Sequence, residues 1–323
     1  MEELHFNADI TGERIDKFLD GRIESLSRSY IQKLIKEKKI LVNQLPVKAN
    51  YKLTTGDTIL LQIPDPEPLD IQPENIPLDI LYEDEQVMLI NKPAGMLSQK
   101  AEKGDISMVE HLISHLLDTG EVTEEMLKTF RPSLCNRLDR NTSGIVAAGK
   151  TLQGLQILSG LFKERTLHKY YLCIVKGVIK EEQDVRGWLL KNEKTNQVRI
   201  FKNETKDARP IHTKYRPLAD NGQETLLEIE LLTGRTHQIR AHLASVGHPI
   251  IGDYKYGSPE MNMAFKKEYG IKRQLLHAAI LKMPKCQPPF DNLSGKIFTA
   301  PLPKDFIRGM MGERISFKKE WMS

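Results

Sequence analysis

The run Arg137-Leu138-Asp139-Arg140-Asn141-Thr142-Ser143-Gly144 is followed at once by the apolar stretch Ile145 to Ala148. Asp139 has one cation two positions before it and another directly after, and nearby cations favour the ionised form of a carboxyl group. An ionised carboxylate in a loop just ahead of a buried strand is placed to act as a nucleophile. Thr142-Ser143-Gly144 has the composition of a tight turn that would hold such a loop fixed. The plainer outcome is an Asp–Arg salt bridge bracing a surface loop, and for these residues alone it is the commoner one.

Two further stretches carry similar potential. In Lys169-Tyr170-Tyr171-Leu172-Cys173-Ile174-Val175-Lys176-Gly177, strand alternation puts Lys169, Tyr171 and Cys173 on one face. A tyrosine beside a lysine can stack a nucleobase while the cation holds a phosphate; the ordinary alternative is a tyrosine packed in the core. In the stretch from Leu232 to Leu243, Thr236 is expected to cap a helix that carries His237 and Arg240, three apart, on one face. Gly247 and Pro249 would end that helix. Arg240 could then be aimed at a carboxylate or a phosphate. His237, His242 and His248 lack the spacing of a zinc helix and have no Cys or Glu beside them, so no metal is expected. Neither the phosphate-loop nor the dinucleotide glycine pattern occurs, so no nucleotide cofactor is expected.

The elements that must position these residues fall into two domains. The chain has 323 residues, with 40% hydrophobic and 28% charged, an ordinary globular balance. No apolar run is long enough for a membrane span, and the acidic start, with Glu2, Glu3 and Asp9, lacks the features of a secretory signal. A cytoplasmic protein is expected. The three cysteines, Cys135, Cys173 and Cys286, are far apart and form no Cys-x-x-Cys pair, so no disulfide framework is expected. A small α/β unit is expected over 1–63. It contains a helix at Glu13 to Ile23 and a second one capped by Ser27, in which Ile31, Leu34 and Ile35 make the apolar stripe, then strands at Ile40 to Asn43 and Asp57 to Ile63. Between Arg28 and Lys52 there are seven basic residues and one acid, a patch suited to a polyanion. A solvated helix face gives the same pattern. Over 64–78, five prolines and acidic residues predict an extended linker. Over 79–323, strands are expected at Ile80–Tyr82, Val87–Ile90, Ile145–Ala148, Tyr170–Val175 and Thr225–Leu232, with helices at Met108–Leu117, Leu152–Glu164 and Thr236–Val246. Without βαβ alternation, this predicts an α+β domain with a mixed, largely antiparallel sheet.

Taken in order, the stretches resemble the RluA-type family of ribosomal RNA pseudouridine synthases. Arg137-Leu138-Asp139-Arg140 with Thr142-Ser143-Gly144 is similar to the family's catalytic loop, and Lys169-x-Tyr171 with Val175-x-Gly177 to its second motif. Gly234-Arg235-Thr236-His237-Gln238-Ile239-Arg240 resembles the third, continued by Gly247-His248-Pro249-Ile250, Gly252-Asp253 and Tyr256-Gly257. Leu275-Leu276-His277-Ala278 resembles the strand that closes the pocket. The likeness runs from about Asp79 to Lys304. The first segment resembles the small RNA-binding domain named for ribosomal protein S4, through Arg14-x-Asp16-x-Phe18-Leu19, Ser27-Arg28-Ser29, Val42-Asn43 and Gly56-Asp57. Two departures concern the subfamily: Asn136 stands where many relatives have His, and Asn141 where Asp is frequent.

The resemblance implies a cofactor-independent isomerase acting on structured RNA, expected to be large-subunit ribosomal RNA, and a monomer. It makes Asp139 the essential carboxylate, Arg240 its ion-pair partner, Tyr171 the residue that stacks on the flipped base and helps to take its C5 proton, and Leu276 an apolar wall. Arg137, Arg140, Lys169 and Arg235, with Arg28, Lys33 and Lys36 of the first domain, become candidates for contacting RNA. Other readings are a transfer-RNA synthase, a non-catalytic RNA-binding or ribosome-assembly protein, and an RNA glycosidase, which would need a second acid near Asp139.

Overall fold

The computed structural model describes residues 2–23, 26, 28–64, 77–102, 104–192 and 194–316. The Ser27 cap, most of the expected linker and residues 317–323 lie outside the described residues. The chain forms two compact units: Met1–Ile76 with Glu110–Ser133 and Thr151–Gln153, and Pro77–Val109 with Leu134–Lys150 and Gly154–Ser323.

The first unit opens with β1 (Glu2–Asn7), which was not expected, then α1 (Ile15–Asp20) and α2 (Arg28–Lys36). Strands β2 (Ile40–Val42), β3 (Leu45–Pro46) and β4 (Thr58–Ile63) follow. The strands pair antiparallel in the order β1-β4-β2-β3. Helix α1 is shorter than expected, since Arg14 is extended at its N-cap and Gly21 closes it. Phe18, Leu19, Ile31 and Leu34 pack on Ile40, Ile59 and Leu61 to make the core. Helices α3 (Met108–Asp118) and α4 (Glu124–Thr129) fall largely in this unit.

The second unit is built on one mixed sheet. Its strands are β5 (Ile80–Glu83), β6 (Val87–Lys92), β7 (Ser133–Leu134), β8 (Ser143–Gly149) and β9 (His168–Lys176), with α5 (Leu152–Glu164) before β9. Then come β10 (Gln183–Asn192), β11 (Gln197–Phe201), β12 (Arg209–Asp220) and β13 (Glu224–Leu231). Helices α6 (Gln238–Ser245) and α7 (Pro259–Tyr269), strands β14 (Leu276–Lys282) and β15 (Ile297–Thr299), and helix α8 (Lys304–Gly312) complete it. The order is β11-β10-β12-β13-β9-β14-β8-β6-β5, with β15 beside β14 and β7 beside β8. The β14–β8 pair is parallel, and the other described ladders are antiparallel, as expected.

Strand β8 is buried along its whole length, which explains its continuous apolar and small-residue sequence. One face of β9 and β13 packs through Leu172, Ile174 and Leu226 on Phe265 of α7 and Phe306 of α8. The opposite face carries Tyr171, Cys173 and Ile229 towards the site, since directly paired residues share a face. Gly144 is needed where β8 meets β14: its φ is +109°, and a Cβ there would lie 2.2 Å from the carbonyl oxygen of Ala278. This corrects the expected turn. Ser143 and Gly144 already belong to β8, and the turn begins two residues earlier, at Arg140 and Asn141.

Candidate active site

Asp139 lies in the loop between β7 and β8, and its neighbours' backbone groups are tied down on every side. The Ser98 hydroxyl accepts from the Leu138 N–H at 3.1 Å and donates to its carbonyl at 2.9 Å. The Asp139 carbonyl accepts from Thr142 N–H at 3.0 Å, and the Arg140 carbonyl from Gly95 N–H at 2.8 Å. Lys92 comes from below, its side chain fully buried. Its ammonium donates to the carbonyls of Pro93 and Met96, each at 2.8 Å, and of Arg140 at 3.1 Å. Burial pushes its pKa down to about 7, against the opposing pull of the Asp139 charge. A loop held this way presents its side chain at a fixed height, with the Asp139 carboxylate one-quarter exposed.

The carboxylate's cation is Arg240 of α6, not a sequence neighbour. Arg240 Nη1 donates to Asp139 Oδ2 at 2.8 Å, while Nε and Nη2 grip both oxygens of Asp253 at 2.7 and 2.9 Å. Asp253 is fully buried, and it also accepts from the backbone N–H groups of Lys255 and Tyr256 at 2.9 and 3.1 Å. Burial opposes ionisation of both groups, yet their bidentate pairing holds Asp253 below and Arg240 above their ordinary pKa values. The guanidinium is thus locked on one side and reaches Asp139 with its remaining nitrogen.

His237 adds a second contact. Its Nε2 lies 4.0 Å from Asp139 Oδ2, and its Nδ1 pairs with the Tyr256 hydroxyl at 2.9 Å. That hydroxyl accepts from Val198 N–H at 3.1 Å, so its own proton is free to go to Nδ1, which leaves the imidazole proton on Nε2 facing Asp139. Burial lowers the His237 pKa, against the opposing pull of the Asp139 charge. His237 is in the left-handed region, φ +52°, at the N-cap of α6, with no side-chain cap. The expected Thr236 cap is therefore corrected: the turn needed to bring both His237 and Arg240 to Asp139 delays the helix to Gln238, whose side chain instead accepts from the Thr233 hydroxyl at 2.9 Å and Arg235 N–H at 3.1 Å.

The RNA pseudouridylate synthase profile matches residues 86–245, and the S4 domain profile matches residues 13–59. An uncharacterised RNA pseudouridine synthase of Aquifex aeolicus is 36% identical over 261 residues, 79% of this chain and 80% of its own. Ribosomal large subunit pseudouridine synthase C of Vibrio vulnificus is 33% identical over 308 residues, 90% of this chain and 91% of its own. This chain belongs to the RNA pseudouridylate synthase family. The enzyme is an isomerase of RNA-bound uridine, with an S4-type RNA-binding domain ahead of it. Human RNA pseudouridylate synthase domain containing 4 shares the fold, with a TM-score of 0.58 at 21% identity, covering 74% of the synthase and 94% of the human chain.

The synthase brings Asp139, Arg240 and Tyr171 to one place. Tyr171 is buried on β9, and burial, reinforced by the Asp139 charge, pushes its pKa up, so the phenol keeps its proton at neutral pH. Leu276, also buried, pairs with Cys173 on the same face. The flanking arginines do not act on Asp139 as their spacing suggested: Arg137 is exposed, and Arg140 sends its Nε to the Gly95 carbonyl at 3.0 Å. Neither makes a described ion pair with Asp139, whose charge is met by Arg240. Lys169 is half-buried with its ammonium 6.0 Å from the Phe162 ring centre, and Arg235 is exposed. In the S4 domain, Arg28 pairs with buried Asp16 at 2.8 Å and Lys33 with Glu37 at 3.8 Å. Lys36 lines a groove of about 390 Å³ with Gln32, Lys38 and Lys48.

Lys92, His237, Asp253 and Tyr256 were missed as site residues. Gly252-Asp253 and Tyr256 stood inside a quoted motif without a role, and the signal available was an acid within reach of a cation held to be functional. Lys92 gave no local signal, because its partners are carbonyls distributed between two loops.

Proposed function

We propose that this synthase isomerises uridines in large-subunit ribosomal RNA, with Asp139 as its essential carboxylate. One observation carries the reading: a partly exposed carboxylate on an immobilised loop, ion-paired at 2.8 Å to an arginine that a buried aspartate holds from behind. The large-subunit target rests on the names of relatives such as the Vibrio vulnificus enzyme.

The reaction breaks the C1′–N1 bond, turns the base and joins C5 to C1′. The C5 proton leaves and N1 gains one, so the isomerisation balances with no added group. A folded RNA must first extrude the target nucleotide. Tyr171 and Leu276 form the wall on which the freed base turns. Asp139 acts as nucleophile at C1′ or C6, or as base on a glycal route, and Arg240 keeps it directed in each case. Tyr171 as phenol is a weak base, so a share in taking the C5 proton requires it to pass its own proton on; Asp139 is the acceptor within the same pocket. Because the detached base is the returning nucleophile, water must be kept out. Arg137, Arg140 and Arg235 are exposed for phosphate contacts, Lys169 is a lesser candidate, and Arg28, Lys33 and Lys36 lie in the S4-type domain over 1–63, which adds sequence-tolerant affinity.

The test is carbodiimide-dependent primer extension on large-subunit RNA from a strain lacking the protein, treated with wild type or Asp139→Ala. Stops with the wild type alone are expected. Stops only on transfer RNA would move the substrate, and no stops on either RNA would remove the catalytic reading.

A further inference from the structure

A second guanidinium lies beneath the Asp139 loop. Arg273, in the segment leading into β14, is nearly buried, and its Nε and Nη2 grip both oxygens of Asp305 on α8 at 2.7 and 2.6 Å. Its remaining nitrogen, Nη1, donates to the carbonyl of Asn141 at 3.2 Å and of Gln274 at 3.3 Å. The next side chain, Gln274, donates to the Thr142 hydroxyl at 3.3 Å. On its other side, the Arg273 backbone abuts Gly252: a Cβ at that glycine, whose φ is +78°, would sit 2.0 Å from the Arg273 carbonyl oxygen. Leu275 N–H donates to the Ile251 carbonyl at 2.9 Å. The short Arg273–Leu275 segment therefore touches the loop that carries Asp139 and the one that carries Asp253. Those are the two carboxylates that Arg240 joins.

The arrangement repeats the upper one. Arg240 is forked by Asp253 and reaches Asp139; Arg273 is forked by Asp305 and reaches the carbonyl two residues beyond Asp139. A bidentate fork fixes the plane and direction of a guanidinium, so the third nitrogen sets where the carbonyl can be. We infer that Arg273, anchored by Asp305, is a positioning residue that sets the height of the Asp139 loop against Arg240. This rests on Asp139 being the essential carboxylate. A purely structural ion pair would tie α8 to the sheet and leave the rate per folded molecule unchanged. A positioning pair alters the chemical step and leaves RNA binding alone: Arg273 is nearly buried with its N–H donors turned to Asp305 and backbone carbonyls, and the partly exposed Asp305 carboxylate has both oxygens engaged by Arg273.

The experiment uses full-length protein and an RNA fragment that the wild type modifies. Arg273→Lys, Arg273→Gln, Asp305→Asn and Asp139→Asn are compared by single-turnover rate, RNA Kd and thermal unfolding. Lysine keeps the charge and cannot span fork and carbonyl together. Displacement of a reacting group by about 1 Å can cost on the order of a hundredfold in rate. The two Arg273 variants are expected to lose about tenfold to a hundredfold in rate with Kd within about twofold, and Asp305→Asn to lose less. An unchanged rate per folded molecule in Arg273→Gln, or a rate that falls only as folded protein is lost, overturns the inference. If both Arg273 variants fail to fold, Asp305→Asn decides: a lower rate at unchanged Kd supports it, and a wild-type rate overturns it. An active Asp139→Asn would mark failure of the Asp139 reading instead.

Discussion

Asp253→Asn tests the buried fork behind Arg240. The substitution keeps the shape of the side chain and removes its charge. One of the two oxygens that accept from Arg240, at 2.7 and 2.9 Å, becomes an NH₂ facing an N–H donor. The site is closed to water: the side chains of Arg240 and Asp253 are 9% and 1% exposed. Removing one partner of a buried pair costs about 3–5 kcal/mol. The low end applies, because Asp139 still meets part of the guanidinium's charge. For a domain of this size, about 3 kcal/mol lowers Tm by about 6–12 °C. Circular dichroism melts should show that drop, and the isomerisation rate, measured well below the new Tm, should fall about tenfold or more as Arg240 loses its orientation. Combined with Arg240→Met, the loss should be smaller than the sum of the single losses, since the two residues act as one unit. A Tm within about 2 °C of wild type together with an unchanged rate would refute the claim that Asp253 fixes Arg240.

Acid sensitivity should come from two buried histidines. Burial pushes His242 and His277 down to about 4 from an ordinary 6.5. The unfolded chain binds protons that the folded one refuses, so stability is full above about pH 6.5 and falls as pH drops towards 4, by about 1.4 kcal/mol per pH unit for each histidine. Denaturant titrations at pH 7 and 5 should show this, with a shallower slope in His277→Gln; equal slopes would contradict it. Tyr171→Phe should keep RNA affinity within about twofold and lose less than about a hundredfold in rate, the lower range for a true general base; complete inactivity would make the phenol the proton acceptor. RNA affinity should fall steeply between 50 and 200 mM salt, on the order of a thousandfold if about six phosphates are contacted, and Lys36→Glu should flatten that slope. A nearly salt-independent Kd would remove the basic docking patch.

Strands β8 and β9 were legible because buried strands require near-continuous apolar sequence, and β13 because Leu227, Ile229 and Leu231 alternate with Glu228 and Glu230. Strands β10 and β12 were not, because their exposed faces carry Arg186, Lys214 and Arg216, and β12 contains Pro210 and Pro217, the latter at a register shift, where a proline is tolerated. In the site, local spacing singled out Arg137 and Arg140 as partners of Asp139, whereas the partner is 101 positions away. Resemblance supplied that pairing, and spacing could not. Asp253, Lys92 and Arg273 escaped because their meaning lies in contacts between distant loops. The departure at Asn136 does have a visible role: its amide donates to the Ile145 carbonyl at 3.3 Å and accepts from Ala147 N–H at 2.8 Å, bracketing β8.

The most direct measurement is nucleoside analysis of a defined RNA substrate after incubation with wild type or Asp139→Asn, with RNA binding measured in parallel. The account predicts that Asp139→Asn binds the RNA as the wild type does and forms no pseudouridine. Pseudouridine formed by Asp139→Asn at a wild-type rate would contradict it.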